Sequence, residues 1–226
     1  MYFPVMCVDD FFNNPNKVRE FALSLDYNSA KNSTGVWPGK RTKNLAYENF
    51  DFYKGVIEKI FSPYFNGHTT INNITTNVEM FFQITNHKEC GHINEGWIHY
   101  DENVVYAGII YLNENASLNS GTSLYRAKNF ANVENSPAKA EQYLNFSEDN
   151  LNFYKTELEK NNSKFEETVR FNNVYNRLIA FDGKTYHGVR NYYEENSIED
   201  RLTLVFFVNN ILSNWFPFPE IKRRHI

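Results

Sequence analysis

The sequence predicts a mainly β fold backed by amino-terminal helices, on three observations. From about Val78 onward, short apolar and β-branched runs recur at Val78 to Thr85, Val104 to Leu112, Gly121 to Tyr125, Asn176 to Phe181 and Arg201 to Asn209, which is the texture of strands. Ahead of them lie two stretches whose apolar residues repeat at helical spacing. Between Arg126 and Asn176 runs a polar segment rich in Asn, Glu and Lys that keeps neither period strictly.

The first helix is announced by Asn14 followed by Pro15, an N-cap with proline in the first turn, after which Val18, Phe21, Ala22 and Leu25 share one face. The second covers about Asp51 to Phe61, where Phe52, Val56, Ile57, Ile60 and Phe61 form an apolar stripe that Pro63 ends. Such stripes ordinarily face a core, so both helices are expected to back a sheet. In the polar segment Tyr143, Leu151, Phe153, Tyr154 and Leu158 are loosely spaced. A structureless loop of that length is unusual in a compact domain, so a partly helical insertion over about 127–175, acting as a lid or substrate-shaping element, is expected.

Composition narrows the class. The 226 residues are 42% hydrophobic and 17% aromatic, enough for one large aromatic-heavy core, and charged residues at 22% exclude a disordered chain. One domain over 1–226 is expected, with helical support over about 1–77 and a strand-dominated core over about 78–210. The net charge of -4 supplies no general attraction for phosphate backbones, which disfavours nucleic acid as a partner. The basic clusters Lys40-Arg41-Thr42-Lys43 and Lys222-Arg223-Arg224-His225 read as solvated surface. Cys7 and Cys90 form neither a disulfide framework nor a CxxC motif. With no secretion signal and no long apolar run, a soluble cytoplasmic protein without a membrane partner is expected.

The chemistry-bearing residues come in two places. His99-Tyr100-Asp101 puts a histidine and an aspartate two apart, so on an extended segment both leave the same face and can reach one ion. Such a triplet is common by chance. Far along the chain, the buried-strand pattern Asn176 to Phe181 meets the turn residues Asp182-Gly183, and His187 emerges from Thr185-Tyr186-His187-Gly188-Val189. Two imidazoles and one carboxylate on one face of an octahedral ion leave three positions open, the arrangement of non-haem Fe(II) oxygenases.

Over about Glu79 to Asn209 the chain resembles the 2-oxoglutarate and Fe(II)-dependent dioxygenase superfamily, in particular its prolyl-hydroxylase-like branch. His99, Asp101 and His187 occupy the family's ligand positions, and Arg201 the place of the basic residue that binds the cosubstrate carboxylate. Arg201-Leu202-Thr203 resembles the family's Arg-x-Ser, Tyr111-Leu112-Asn113 its Tyr-Leu-Asn, and Gly121 to Tyr125 its Gly-Gly-Glu-Thr-type strand. The resemblance implies a double-stranded β-helix of the jelly-roll, cupin-like type. It implies Fe(II) held by His99, Asp101 and His187, and 2-oxoglutarate as cosubstrate on Arg201, Thr203 and Tyr111. Ascorbate is a candidate reductant. The implied reaction yields succinate and carbon dioxide and hydroxylates a peptidyl or small-molecule substrate that the sequence does not identify. The segment from His187 to Arg201 is longer than usual, so Tyr192 to Asp200 is expected to loop out. The alternative is a cupin-like metal- or ligand-binding module without oxygenase activity. The sequence says nothing of the oligomeric state.

Ordinary readings stand beside these. Arg201 could pair with Asp200 or Glu199, and Tyr111 could be core. His87 and His92 read as loop histidines, His68 as part of the Asn66-Gly67 turn, and Lys184 and Arg190 as solvated flanks of the distal histidine. Trp97 belongs either to the core or to the site entrance, and the Tyr186 ring should point away from His187.

Overall fold

A computed structural model describes residues 4–32, 35–63, 74–88, 90–130, 133–193 and 199–213. His68, the 222–225 basic cluster and the middle of the Tyr192-to-Asp200 segment lie outside them.

Each backing helix starts where an asparagine caps it. Asn14 Oδ1 accepts from the Lys17 amide at 3.2 Å and opens α1 (Pro15–Leu23), and Asn49 Oδ1 accepts from Phe52 at 3.0 Å to open α3 (Phe50–Phe61). Between them Asn44 caps the short α2 (Leu45–Glu48). The predicted stripes are the buried faces: Ala22 of α1 and Val56, Ile57, Ile60 and Phe61 of α3 pack in one cluster with the large sheet.

That sheet is organised by β10 (Arg201–Ser213), which pairs antiparallel with β4 (Ile74–Thr85) on one side and β5 (Tyr106–Tyr111) on the other. Its two-residue period divides the molecule. Leu202, Leu204, Phe206 and Val208 face the helices, whereas Arg201, Thr203, Val205 and Phe207 line an internal cavity. Each fully buried phenylalanine such as Phe82 or Phe206 contributes on the order of 1.5–3 kcal/mol. With β1 (Met6–Val8), β2 (Asn28–Ser29), β3 (Lys40–Arg41) and β8 (Leu178–Asp182), the sheet runs β1-β8-β5-β10-β4-β3-β2. Gly39, at φ 80°, delivers the chain into β3, and a Cβ there would stand 2.1 Å from the Ile84 carbonyl oxygen, so only glycine fits.

A smaller antiparallel sheet, β7 (Phe165–Phe171), β6 (Thr122–Ala127) and β9 (Tyr186–Val189), covers the other side of the cavity. The two sheets form the expected double-stranded β-helix.

The 127–175 segment is more than an inserted lid. It supplies α4 (Pro137–Leu144) and α5 (Leu151–Asn162), but it ends in β7, the strand paired with β6. That strand escapes sequence reading because Glu166, Glu167, Thr168, Val169 and Arg170 are all exposed, so no buried alternation marks it. The helices pack Ala138, Tyr154 and Leu158 on Ile93 and Trp97. Asn161 Nδ2 donates to the Ile98 carbonyl at 2.9 Å, and the Ile98 amide donates to Asn162 Oδ1 at 3.0 Å. No helix among the described residues is long and apolar enough to cross a membrane.

Candidate metal centre

His99 and His187 meet through backbone pairing. The His99 amide donates to the His187 carbonyl at 3.0 Å and the reverse bond is 2.8 Å, an isolated antiparallel bridge that adds the His99 segment to the edge of β9. Residues so paired share a face, and their rings lie 4.5 Å apart. Asp101, two residues on, is anchored by its amide on the Gly183 carbonyl at 2.9 Å. Its Oδ1 stands 3.8 Å from His99 Nε2 and its Oδ2 3.6 Å from His187 Nε2. One ligand atom from each of the three lies within 4.8 Å of the others.

The tautomers follow from the neighbours. His99 Nδ1 is 2.8 Å from the Trp97 carbonyl and His187 Nδ1 is 2.9 Å from the Thr185 carbonyl. A carbonyl only accepts, so each Nδ1 carries hydrogen and each Nε2 turns a lone pair inward. Burial, aided by the charges of Lys139, His187 and Arg41, holds the His99 pKa well below the usual imidazole range, which keeps that ring neutral and able to ligate.

The remaining predicted residues lie on the large sheet. Thr203 stands opposite Tyr111 on β5 and Gln83 on β4, and Gln83 stands opposite Arg41 on β3, one row across the inner face. Arg201 is 6% exposed. Its Nε donates to the Ser120 carbonyl at 3.4 Å, its guanidinium lies 5.6 Å from the Tyr111 ring, and its Nη2 has no hydrogen-bond partner among the described residues. It does not pair with its acidic neighbours: Asp200 accepts from Asn86 at 3.3 Å, and Glu199 faces Arg19 at 3.5 Å. Thr203 Oγ1 is likewise buried without a partner. Tyr111 is fully buried and its hydroxyl donates to Thr122 Oγ1 at 3.0 Å. Thr122, rather than Tyr111, reaches the cavity wall.

The cavity enclosed by these groups is about 1110 Å³. Besides Lys43, exposed at its rim, two further, less exposed cations line it, and neither stands out in the sequence. Arg41 belongs to a cluster read as solvated surface, yet its guanidinium lies 4.3 Å over Trp37 and 5.0 Å from Phe207, and its Nε donates to Gln83 Oε1 at 2.8 Å. Burial draws its pKa down to about 9 against the opposing charges of Asp101 and Glu79. Lys139 of α4 is pushed down to about 8 by burial and by Arg41, with Asp101 and Glu102 opposing. Pairing register and helix docking place these two; nothing local to either residue could have.

Elsewhere the ordinary readings describe the residues well. The Tyr186 hydroxyl accepts from the Val133 amide at 2.9 Å and its ring packs on Phe165, away from the cavity. Trp97 is buried and donates from Nε1 to Gln142 Oε1 at 2.7 Å. His87 and His92 meet each other at 3.2 Å. Arg190 is not a free flank, since its Nη2 donates to the carbonyls of Leu118 at 2.8 Å and Phe171 at 3.0 Å.

No curated protein matches the sequence. Among solved structures, HygX from Streptomyces hygroscopicus with nickel and 2-oxoglutarate bound matches with a TM-score of 0.51 at 12% identity, over 93% of this chain and 85% of that one. A prolyl hydroxylase from Trichoplax adhaerens, in complex with a hypoxia inducible factor peptide fragment, matches at 0.50 and 12% identity over 90% and 82%. At such identity the likeness is one of fold, and it is the fold of the 2-oxoglutarate oxygenases of prolyl-hydroxylase type. A family model covers residues 2–208, and by that match the chain belongs to the family of unknown function DUF6445.

Proposed function

We propose that the protein is an Fe(II)- and 2-oxoglutarate-dependent dioxygenase that hydroxylates a small-molecule or peptidyl substrate, with residues 1–226 acting as one catalytic domain. The observation that carries this reading is that one cavity holds both the His99, Asp101, His187 donor set and a buried Arg201 with no acidic partner among the described residues.

The donor chemistry fits the metal. Asp101 Oδ2 has no hydrogen-bond partner among the described residues and faces His187 Nε2, while Oδ1 faces His99 Nε2. Three electron-rich groups converge within 4.8 Å of one another, a donor set that a divalent ion satisfies. The cosubstrate fits as well. Arg201 Nη2 and Thr203 Oγ1 are orphaned, and an unpaired buried polar group costs about 1–3 kcal/mol. A carboxylate meeting both recovers that cost with charge-assisted bonds.

His99, Asp101 and His187 would hold Fe(II) through two imidazole nitrogens and a carboxylate oxygen. The iron, when bound, supplies oxygen activation coupled to conversion of 2-oxoglutarate to succinate and carbon dioxide. Arg201 and Thr203 bind the far carboxylate and orient the keto acid towards the metal. Tyr111 acts through Thr122. The carbonyls of Trp97 and Thr185 keep both imidazoles in the ligating tautomer. Ile109, Phe181 and Val205 present apolar walls that exclude water.

The alternative is a cupin-like metal- or ligand-binding module without oxygenase activity; a module that binds metal alone leaves the buried Arg201 guanidinium as a cost with no return, and the response to 2-oxoglutarate separates the rest. Anaerobic protein loaded with Fe(II) should develop a weak visible charge-transfer band when 2-oxoglutarate is added. Folded, iron-loaded protein that shows no band overturns the proposal.

A further inference from the structure

The cavity holds more positive charge than metal and cosubstrate require. Arg41 and Lys139 come from different parts of the chain, β3 and α4, and α4 packs against the Ala30–Asn32 turn beside the cavity mouth. Neither cation forms an ion pair among the described residues. Among the described residues the Lys139 ammonium makes no hydrogen bond or ion pair, and the Arg41 side chain makes one hydrogen bond, to the uncharged Gln83 amide. Glu79 and Glu102 lie at the rim and are exposed, and neither pairs with either cation. Lys43, exposed at the same rim, adds to the positive charge.

These cations belong to a different part of the cavity from the cosubstrate residues. Arg41 leans over Phe81 at 5.5 Å and Phe207 at 5.0 Å, and the charges acting on it and on Lys139 are those of Asp101, Glu79 and Glu102. Arg201 sits beside Tyr111, Ser120 and Tyr192 instead. At about 1110 Å³ the cavity lies just above the roughly 300–1,000 Å³ range of small-molecule sites. A five-carbon diacid leaves much of that space free. The free part has one cationic wall, Arg41 and Lys139, and one aromatic wall, Trp37, Phe81 and Phe207.

We propose that Arg41 and Lys139 form the substrate's anion-binding subsite, and that the substrate is a small molecule bearing a carboxylate on an apolar body. The inference rests on the dioxygenase reading for the word substrate. A guanidinium held 4.3 Å over the Trp37 ring offers a fork of N–H donors to a planar carboxylate, the ammonium adds a second donor from another element, and the aromatic side chains take the apolar body. Held there, the body lies beside His99 and Asp101, where the reacting carbon must be.

Hexanoate and its uncharged counterpart hexanamide, titrated calorimetrically into anaerobic protein loaded with Fe(II) and saturating 2-oxoglutarate, test this. Hexanoate should bind at least about tenfold more tightly than hexanamide, and the preference should fall to about twofold or less in the Arg41→Gln/Lys139→Met double variant. Arg41→Lys, which keeps the charge, should retain most of it, and Lys139→Met alone serves if the double variant loses its circular dichroism. Equal binding of acid and amide, no binding of hexanoate, or a preference that survives the substitutions overturns the subsite. The charge-transfer band, recorded on the same samples, reports the dioxygenase reading separately. A band without carboxylate preference removes the subsite and spares the enzyme. A preference without a band, abolished by the double variant and kept by Arg201→Ala, leaves an anion site and removes the dioxygenase.

Discussion

Arg201 is the residue in which burial and chemistry are most visibly at odds. A guanidinium stays charged at any physiological pH, and its 6% exposure denies it water, while neither its Nη2 nor the Thr203 Oγ1 on the same face of β10 has a hydrogen-bond partner among the described residues; under the proposed function both bind the cosubstrate carboxylate. Arg201→Ala should weaken 2-oxoglutarate binding by roughly 30-fold or more, the scale of a lost charge-assisted pair in a dry site. The measurement is a titration of the charge-transfer band. Affinity within about threefold of the unaltered protein would return Arg201 to a structural role. Thr203 shares that fate less sharply, because a hydroxyl contributes one neutral donor where the guanidinium contributes charge and a fork of N–H groups.

Among the elements, α4 and α5 matter for what they hold as much as for what they cover. Gln142 of α4 accepts from Trp97 Nε1 at 2.7 Å and donates to the Cys90 carbonyl at 2.9 Å, and the Trp97 carbonyl in turn fixes the His99 ring. Gln142→Leu strands the Trp97 indole N–H, at a cost of about 1–3 kcal/mol. The thermal midpoint should fall and the apparent affinity for Fe(II) should weaken, read by thermal melts with increasing metal. A lowered midpoint with metal affinity unchanged would show that α4 does not position the ligand. The same bonds, together with β7, mean that excising 127–175 wholesale removes a strand and a support for the metal segment as well as a cover. Point changes within α4 are therefore the cleaner probes.

For the whole molecule, ligand binding and folding are linked. A ligand present at about 100 times its dissociation constant stabilises the native state by about 2.7 kcal/mol if the unfolded chain does not bind it. Fe(II) with 2-oxoglutarate should accordingly raise the melting temperature, and Asp101→Ala should abolish that rise together with succinate formation. In metal-free protein Asp101→Ala should leave the melting temperature nearly unchanged, since it removes a carboxylate oxygen with no hydrogen-bond partner among the described residues together with a charge that favours Arg41 and Lys139. A large fall in the metal-free melting temperature would mark Asp101 as a structural residue.

The sequence by itself determined the parts that local chemistry encodes. Helix caps at Asn14 and Asn49, apolar stripes of period 3.6, and the alternation of Arg201-Leu202-Thr203-Leu204 are read along the chain, because backbone geometry ties them to neighbouring residues. His99-x-Asp101 was legible for the same reason, since two residues apart on an extended segment share a face. Only the tertiary structure decided what depends on register and desolvation. It drew Arg41 out of a surface-like cluster by pairing β3 with β4, brought Lys139 to the cavity by docking α4, and made Phe165–Phe171 an edge strand with no alternating pattern to announce it. It also left Arg201 without Asp200 or Glu199. Each outcome turns on partners distant in sequence and on the removal of water, and neither leaves a mark on the residues beside them.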